Sequence, residues 1–345
     1  MDLGKRKTIT ISDVAREAGV SLMTVSRALS QPERVSAKTI EKINLVIDRL
    51  GFVPNPNARA LAAGRTNVIG VLVPSISNNV FAEVLRGIYD VADGSNFQVQ
   101  FANTRYSPDE EERIVRTFLN QKPAGMIVSG INQTGRTAAI LREANCRIVQ
   151  IMDLGDDPFD MMIGFSHYEA AKAATLHLIE SGFSRLGLLA ARLDPRTEKR
   201  IAAFKDTARS AGLLDEAKII TSPRTTSVRI GSMLAGELLE KAPDTDAVLC
   251  INDDLALGAL FECQRRGVSV PEQIAICGFN DMEFSALAHP ALTSVRTYRE
   301  KMGTMAMQML LSAIEGQEPE NPVVDLGFEV IERESTGSAR RSSSA

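Results

Sequence analysis

The sequence predicts an all-α head joined to a larger α/β body of two doubly wound lobes. Three observations carry that reading. The first 50 residues hold three short segments with apolar side chains at helical spacing. From residue 67 onward, short apolar runs alternate with amphipathic stretches, as strand and crossover helix do in parallel sheets. The chain has 345 residues, 44% hydrophobic and 24% charged, an ordinary globular balance but too long for one core. At about 150 residues per domain it calls for two or three.

In the head, Thr10 or Ser12 can cap a helix through TISDVAREAG, with Val14, Ala15 and Ala18 on one face. Gly19 falls where a tight four-residue turn needs a backbone tolerant of positive φ. Ser21 can cap the second helix, LMTVSRAL, which buries Val25 and Ala28 or Leu29. A third helix begins at Ser36, lines up Ile40, Ile43, Ile47 and Leu50, and stops at Gly51. Three short helices with a turn between the first two make a helix-turn-helix.

The exposed side of the second helix offers chemistry suited to duplex DNA. Arg27 can donate two hydrogen bonds to a guanine edge, while Leu22 and Met23 suit thymine methyls. Ser21, Thr24 and Ser26 are placed for phosphates, which position without reading sequence. Charge agrees: residues 1–65 hold eleven basic and six acidic side chains, +5, within a chain of net charge −4. A basic head on an acidic body brings only the head to a polyanion. A three-helix protein-binding module is the alternative.

After the head, Pro54 and Pro56 stop helix three, and ARALAAG is too short to be a stable helix alone in water. The body's strand candidates are 68–73, 97–102, 125–130, 147–152, 185–190, 247–251 and 274–279. Helix candidates are 79–93, 108–121, 166–181, 197–211, 228–241 and 254–266.

Several function classes find no support. No apolar run approaches the ~20 residues that span a bilayer, and the N-terminus lacks a signal-peptide h-region. The four cysteines (Cys146, Cys250, Cys263, Cys277) form no C-x-x-C pair, which fits free thiols in a reducing cytoplasm. No metal site or cofactor is expected. The turn VPSISNNVF lacks a G-x-G-x-x-G, no P-loop is present, and Ser166 beside His167 reads as a helix cap rather than a nucleophile. The chain is therefore not expected to be an enzyme; a cytosolic sugar-binding or sugar-modifying protein is the weaker alternative.

The strings DVAREAGVSLMTVSRAL, GFVPNPNARALAAGRT, IGVLVPS, CINDDLALGAL and CGFND resemble the LacI/GalR repressors over nearly the whole chain, about Thr10 to Glu332. VFAEVLRG, ARLDPRT and NDDLALGALFECQR are similar to the gluconate-operon repressor branch. The resemblance implies Rossmann-like lobes of periplasmic-binding-protein type with three crossovers. It divides the chain into a DNA-binding domain (1–50), a hinge linker (51–66) and a core (67–334), and the polar composition of the tail (335–345) predicts disorder. Lobe one takes about 67–165 and 296–322, lobe two about 166–293 and 323–334. It also implies a hinge helix in the minor groove, with Leu61 as the wedge between Ala58 and Ala62.

Carried over position by position, the effector site comprises Ser75, Phe81, Asp153, Arg200, Asn252, Asn280 and Asp281, between the lobes at strand ends. Thr226 stands where sugar-binding relatives stack an aromatic ring, and neutral Asn280 where many have an aspartate. Both departures favour an open-chain sugar acid such as gluconate, with Arg299 a second partner for its carboxylate. The implied partners are a near-palindromic double-stranded operator, a sugar-acid effector and a second copy of the chain, as homodimer or tetramer. The effector is expected to induce; a corepressor for another metabolite would share the architecture. A transport solute-binding protein would share the body but not the basic head.

Overall fold

The computed structural model describes residues 9–30, 32–52 and 65–337. The chain divides into two compact units between Asn67 and Val68. The expected hinge residues Ala58, Leu61 and Ala62 lie outside the described residues.

In the first unit, α1 (Ile11–Ala18) is capped by Thr10 in a reciprocal box. The Thr10 side chain accepts from Asp13 N, and the Asp13 carboxylate accepts from Thr10 N at 3.0 Å and from its hydroxyl at 2.7 Å. Bonds from the Thr10 hydroxyl, the Thr10 N–H and Arg16 hold the Asp13 carboxyl down at about 2. Gly19 takes φ 61° and turns the chain into α2 (Leu22–Ser30). The turn is three residues, Gly19 to Ser21, rather than the expected four. Ser36 caps α3 (Ala37–Leu50), and Gly51 closes it. Val14, Ala15, Ala18, Val25, Ile43 and Val46 form the buried core, with Ala28, Leu29, Ile47 and Leu50 half-buried around it.

The second unit opens with β1 (Val68–Val73), α4 (Asn79–Ala92), β2 (Gln98–Asn103) and α5 (Pro108–Asn120). It continues through β3 (Gly125–Ser129), α6 (Gly135–Arg142), β4 (Arg147–Ile151) and β5 (Met161–Gly164). Next come α7 (His167–Glu180), β6 (Leu186–Ala191), α8 (Pro195–Ser210), β7 (Ile219–Ser222) and α9 (Val228–Lys241). Then follow β8 (Ala247–Cys250), α10 (Asp253–Arg266), β9 (Ala275–Asn280), α11 (Glu283–Leu287) and β10 (Thr293–Thr297). Helix α12 (Arg299–Ile314) and strands β11 (Val323–Asp325) and β12 (Phe328–Ile331) complete it. The strands form two six-stranded sheets, ordered β11-β5-β4-β3-β1-β2 and β12-β10-β9-β8-β6-β7. Every pair is parallel except β10 with β12. Parallel sheets covered by helices are buried on both faces, which is why β1, β6, β8 and β9 are almost continuously apolar.

The chain passes between the sheets three times: after β5, after β10, and between β11 and β12. Two expectations need correction. The last passage comes at Leu326–Gly327 and not before Val323, because Val323 to Asp325 pair with Met162 to Gly164 in the first sheet. The first residues expected in the disordered tail instead belong to a short turn, Glu334–Thr336. Ser335 is fully buried, donating to the Ile276 carbonyl at 2.6 Å and accepting from Thr293 N at 2.8 Å. Helix α12 lies close against α4 through two glycines. A Cβ on Gly87 would run into the Glu300 carbonyl, and one on Gly303 into that of Val84.

Candidate functional sites

In the first unit, α2 buries Val25 and turns its other side outward. Leu22 is 50% and Met23 60% exposed, and Arg27 and Ser26 are also at the surface. Exposing two large apolar side chains on a small head costs solubility unless a partner covers them. Ser21 Oγ accepts from Thr24 N at 3.1 Å and lies 2.8 Å from its hydroxyl, so this pair fixes the helix start. Arg16 and Arg49 are paired with Asp13 and Glu17, whereas no carboxylate among the described residues pairs with Arg27. The expected base-reading and phosphate residues thus share one short helix and its cap.

In the second unit, a cavity of about 460 Å³, open mouth included, lies at the C-terminal ends of strands from both sheets. Open α/β sheets bind ligands at such strand ends. From the first sheet come Asn78, Phe81, Tyr106 and Met152. From the second come Arg192, Asp194, Arg196 and Arg200 after β6, Thr226 after β7, Asn252 after β8 and Asn280 at the end of β9. Tyr106, Met152, Arg192 and Asn280 all have positive φ, between 52° and 112°. Side chains rarely accept that strain, on the order of 1–3 kcal/mol each, except where packing imposes it, and it gathers at functional sites.

Arg200 is 8% exposed and tightly held. It lies over the Phe279 ring at 3.7 Å, donates to the Ile251 carbonyl, and donates to His167 Nδ1 from Nε (3.3 Å) and NH2 (3.0 Å). A guanidinium only donates, so Nδ1 of His167 is the acceptor and Nε2 carries the proton to the Met152 carbonyl at 2.7 Å. His167 is fully buried. Burial, then the Arg200 charge, then Arg196, hold its pKa well below the usual imidazole value, so the ring is neutral. Burial lowers Arg200 itself to about 10, which leaves it charged at neutral pH.

Of the seven expected effector residues, Phe81, Arg200, Asn252 and Asn280 line the cavity, as does Thr226. Ser75, Asp153 and Asp281 do not. Ser75 Oγ accepts from Asn78 N at 3.2 Å, fixing the turn before α4. Asp153 is 1% exposed and bound by Lys199 Nζ at 2.7 Å. Asp281 is paired with Arg296 and Arg333. Asn252 Oδ1 also caps α10 through Leu255 N. Arg299 is not a lining residue either: it pairs with Glu83 at 2.8 Å and donates to the carbonyl of Asn280. Sequence reasoning missed Arg192, Arg196, Tyr106 and the anchoring role of His167. The string ARLDPRT, conspicuous for two arginines beside a strand end, was the available signal.

A helix-turn-helix head and a two-sheet body with a polar cavity, in one chain, define a DNA-binding regulator that responds to a small molecule. The chain belongs to the lacI family of bacterial regulatory proteins. That family's model matches residues 10–55, and the model of a periplasmic binding protein-like domain matches 175–336. The chain is 40% identical over 327 residues to the HTH-type transcriptional regulator GntR of Pseudomonas aeruginosa, covering 95% of each. A LacI family transcriptional regulator from Silicibacter pomeroyi superposes with TM-score 0.89 at 30% identity, covering 95% of this chain and 99% of that one. The lac repressor dimer bound to operator and the anti-inducer ONPF gives 0.82 at 26% identity, covering 96% and 99%. The protein is thus a DNA-binding transcriptional regulator of that family. Among the described residues, no helix is long and apolar enough to cross a membrane.

Proposed function

We propose that the chain is a cytoplasmic, non-enzymatic repressor whose effector is gluconate or a related sugar acid, and that the effector releases it from DNA. The observation that carries this reading is Arg200, locked by neutral His167 beside neutral Asn280 in a cavity with no aromatic platform at Thr226. Two of its five N–H groups remain for a carboxylate, while Asn252 and Asn280 serve hydroxyls. The relative's name GntR is consistent with a gluconate-type effector.

Leu22, Met23 and Arg27 read base edges, and Ser21, Thr24 and Ser26 contact phosphates. A single head reads too few base pairs, so the operator is near-palindromic and the working form is a homodimer, as the lac repressor is on its operator. In such a dimer, residues 51–66 are the hinge, and Leu61, flanked by Ala58 and Ala62, wedges the minor groove. A mobility-shift titration on DNA upstream of the chain's own gene tests the proposal. Gluconate or 2-ketogluconate is expected to release the complex, and neutral hexoses or purines to leave it. Release by neutral sugars alone contradicts the sugar-acid effector; tightening by gluconate contradicts induction.

A further inference from the structure

We infer that Arg299, charge-paired with Glu83, is a positioning residue for the effector: it holds the turn at Asn280 and Asp281 in the conformation that presents Asn280 to the cavity. The inference rests on the reading of Asn280 as an effector contact and deepens it. Its basis is the backbone of that turn. Asn280 (φ 112°) and Asp281 (φ 53°) are consecutive residues at positive φ, and neither is a glycine. Residues with side chains keep that conformation only where the surroundings impose it. The turn therefore relaxes unless its polar groups are held.

They are held from two directions. On the amide side, Asp281 N donates to Ser294 Oγ at 3.0 Å, and Met282 N donates to Asp253 Oδ2 at 2.6 Å. Ser294 Oγ in turn donates to Asp253 Oδ1 at 2.6 Å. These partners sit on β10 and at the start of α10, in the second sheet's own layer. On the carbonyl side, Arg299 donates from Nη1 to Asn280 O and from Nη2 to Asp281 O at 3.4 Å. Arg299 opens α12, which packs on α4 and on β3, β4 and β5 of the first sheet. Its Nη2 also donates to Glu83 Oε1 on α4 at 2.8 Å. The first sheet's layer thus reaches across to grip a turn of the second.

Arg299 is 4% exposed, and Glu83 is its one ion-pair partner among the described residues. The Asp281 carboxylate is taken by Arg296 and Arg333, and that of Asp253 by the bonds above. A buried charge is costly without its counter-charge, so Glu83 fixes Arg299 and Arg299 fixes the turn. Glu83 lies two residues beyond Phe81, which lines the cavity from the first sheet's side. Both walls of the cavity therefore share one charged strut.

Hydrogen–deuterium exchange of the ligand-free full chain tests the grip, and calorimetric titration with gluconate tests its use. In E83A, the amides of Asp281 and Met282 are expected to exchange about tenfold faster, while those of β8 and α7 do not change. E83Q, which keeps an acceptor without the charge, should fall between E83A and the wild type, and R299Q should match E83A or exceed it. E83A is expected to weaken gluconate about tenfold, but less than about twofold in an N280A background, where the positioned group is gone. Unchanged exchange at the turn, a uniform rise across the body, or an additive loss in the double variant overturns the inference. If N280A binds gluconate like the wild type, or neither binds it, the effector reading falls, and the exchange result alone decides whether Arg299 holds the turn.

Discussion

In the head, Leu22, Met23 and Arg27 follow one another along a single helix turned outward by the burial of Val25. In the body, Phe81, Tyr106, Arg200 and Asn280 reach one cavity from four strand ends spread over about 200 residues of sequence. The head's chemistry is the leftover face of a local amphipathic pattern. The body's chemistry exists only after two sheets have formed and the chain has crossed between them. The first kind of site is exposed, weakly constrained and tuned for a large polyanion. The second is buried, strained at Met152, Arg192 and Asn280, and built for a small ligand.

Perturbing each region has separable consequences. The largest effect is expected from Ile43→Ala, which empties the centre of the head's small core and costs about 2–5 kcal/mol. Circular dichroism melts should show an early transition and DNA binding should fail, with effector binding by titration calorimetry retained. Arg200→Gln reverses the pattern. Losing its charge-assisted donors should weaken effector binding by about 1.5–3 kcal/mol, with ligand-free operator affinity unchanged in the mobility shift. Equal damage to both functions by either variant would break the comparison.

A smaller effect sharpens it. Arg27→Ala should lower operator affinity by about 1–3 kcal/mol and relax preference at one base pair, measured by competition with single-base operator variants. A uniform loss across all variants would move Arg27 to the phosphate class. The mildest expected effect is that of pH on the body. The folded His167 sits well below the unfolded value near 6.5, so the unfolded chain takes up the proton first. The contribution is complete above about pH 6.5 and is lost as pH falls from there toward the folded value. Denaturant midpoints of the body should drop over that interval, and less so in a His167→Gln variant.

Legibility in the sequence followed the same divide. The caps Thr10 and Ser36, the stops Gly19 and Gly51 and the exposed triplet on α2 were all readable, since each is fixed by neighbours three or four residues away. Strands β1, β2, β3, β4, β6, β8 and β9 were readable too, as apolar runs between turn residues. Strands β5, β7, β10, β11 and β12 were not, because three to five residues at a sheet's margin carry little pattern. Helix α12 escaped because its buried face is built from Gly303, Ala306 and methionines, which blur the period. In the cavity, Arg200 and Asn280 came through resemblance, whereas Arg192 and Tyr106 sit in loops whose direction depends on positive φ, a property no periodicity reveals. Ser75, Asp153 and Asp281 were sound strand-end candidates whose side chains the fold spends on a turn and two ion-pair sites.

In the proposed mechanism, effector and operator bind at each other's expense. Linkage requires each to change the other's affinity by the same factor. Fluorescence anisotropy of labelled operator with and without saturating effector, set against calorimetry of effector with and without operator, measures both. Equal factors, about 5- to 150-fold, are expected. A factor of one on the operator side, with the effector demonstrably bound, would contradict the account.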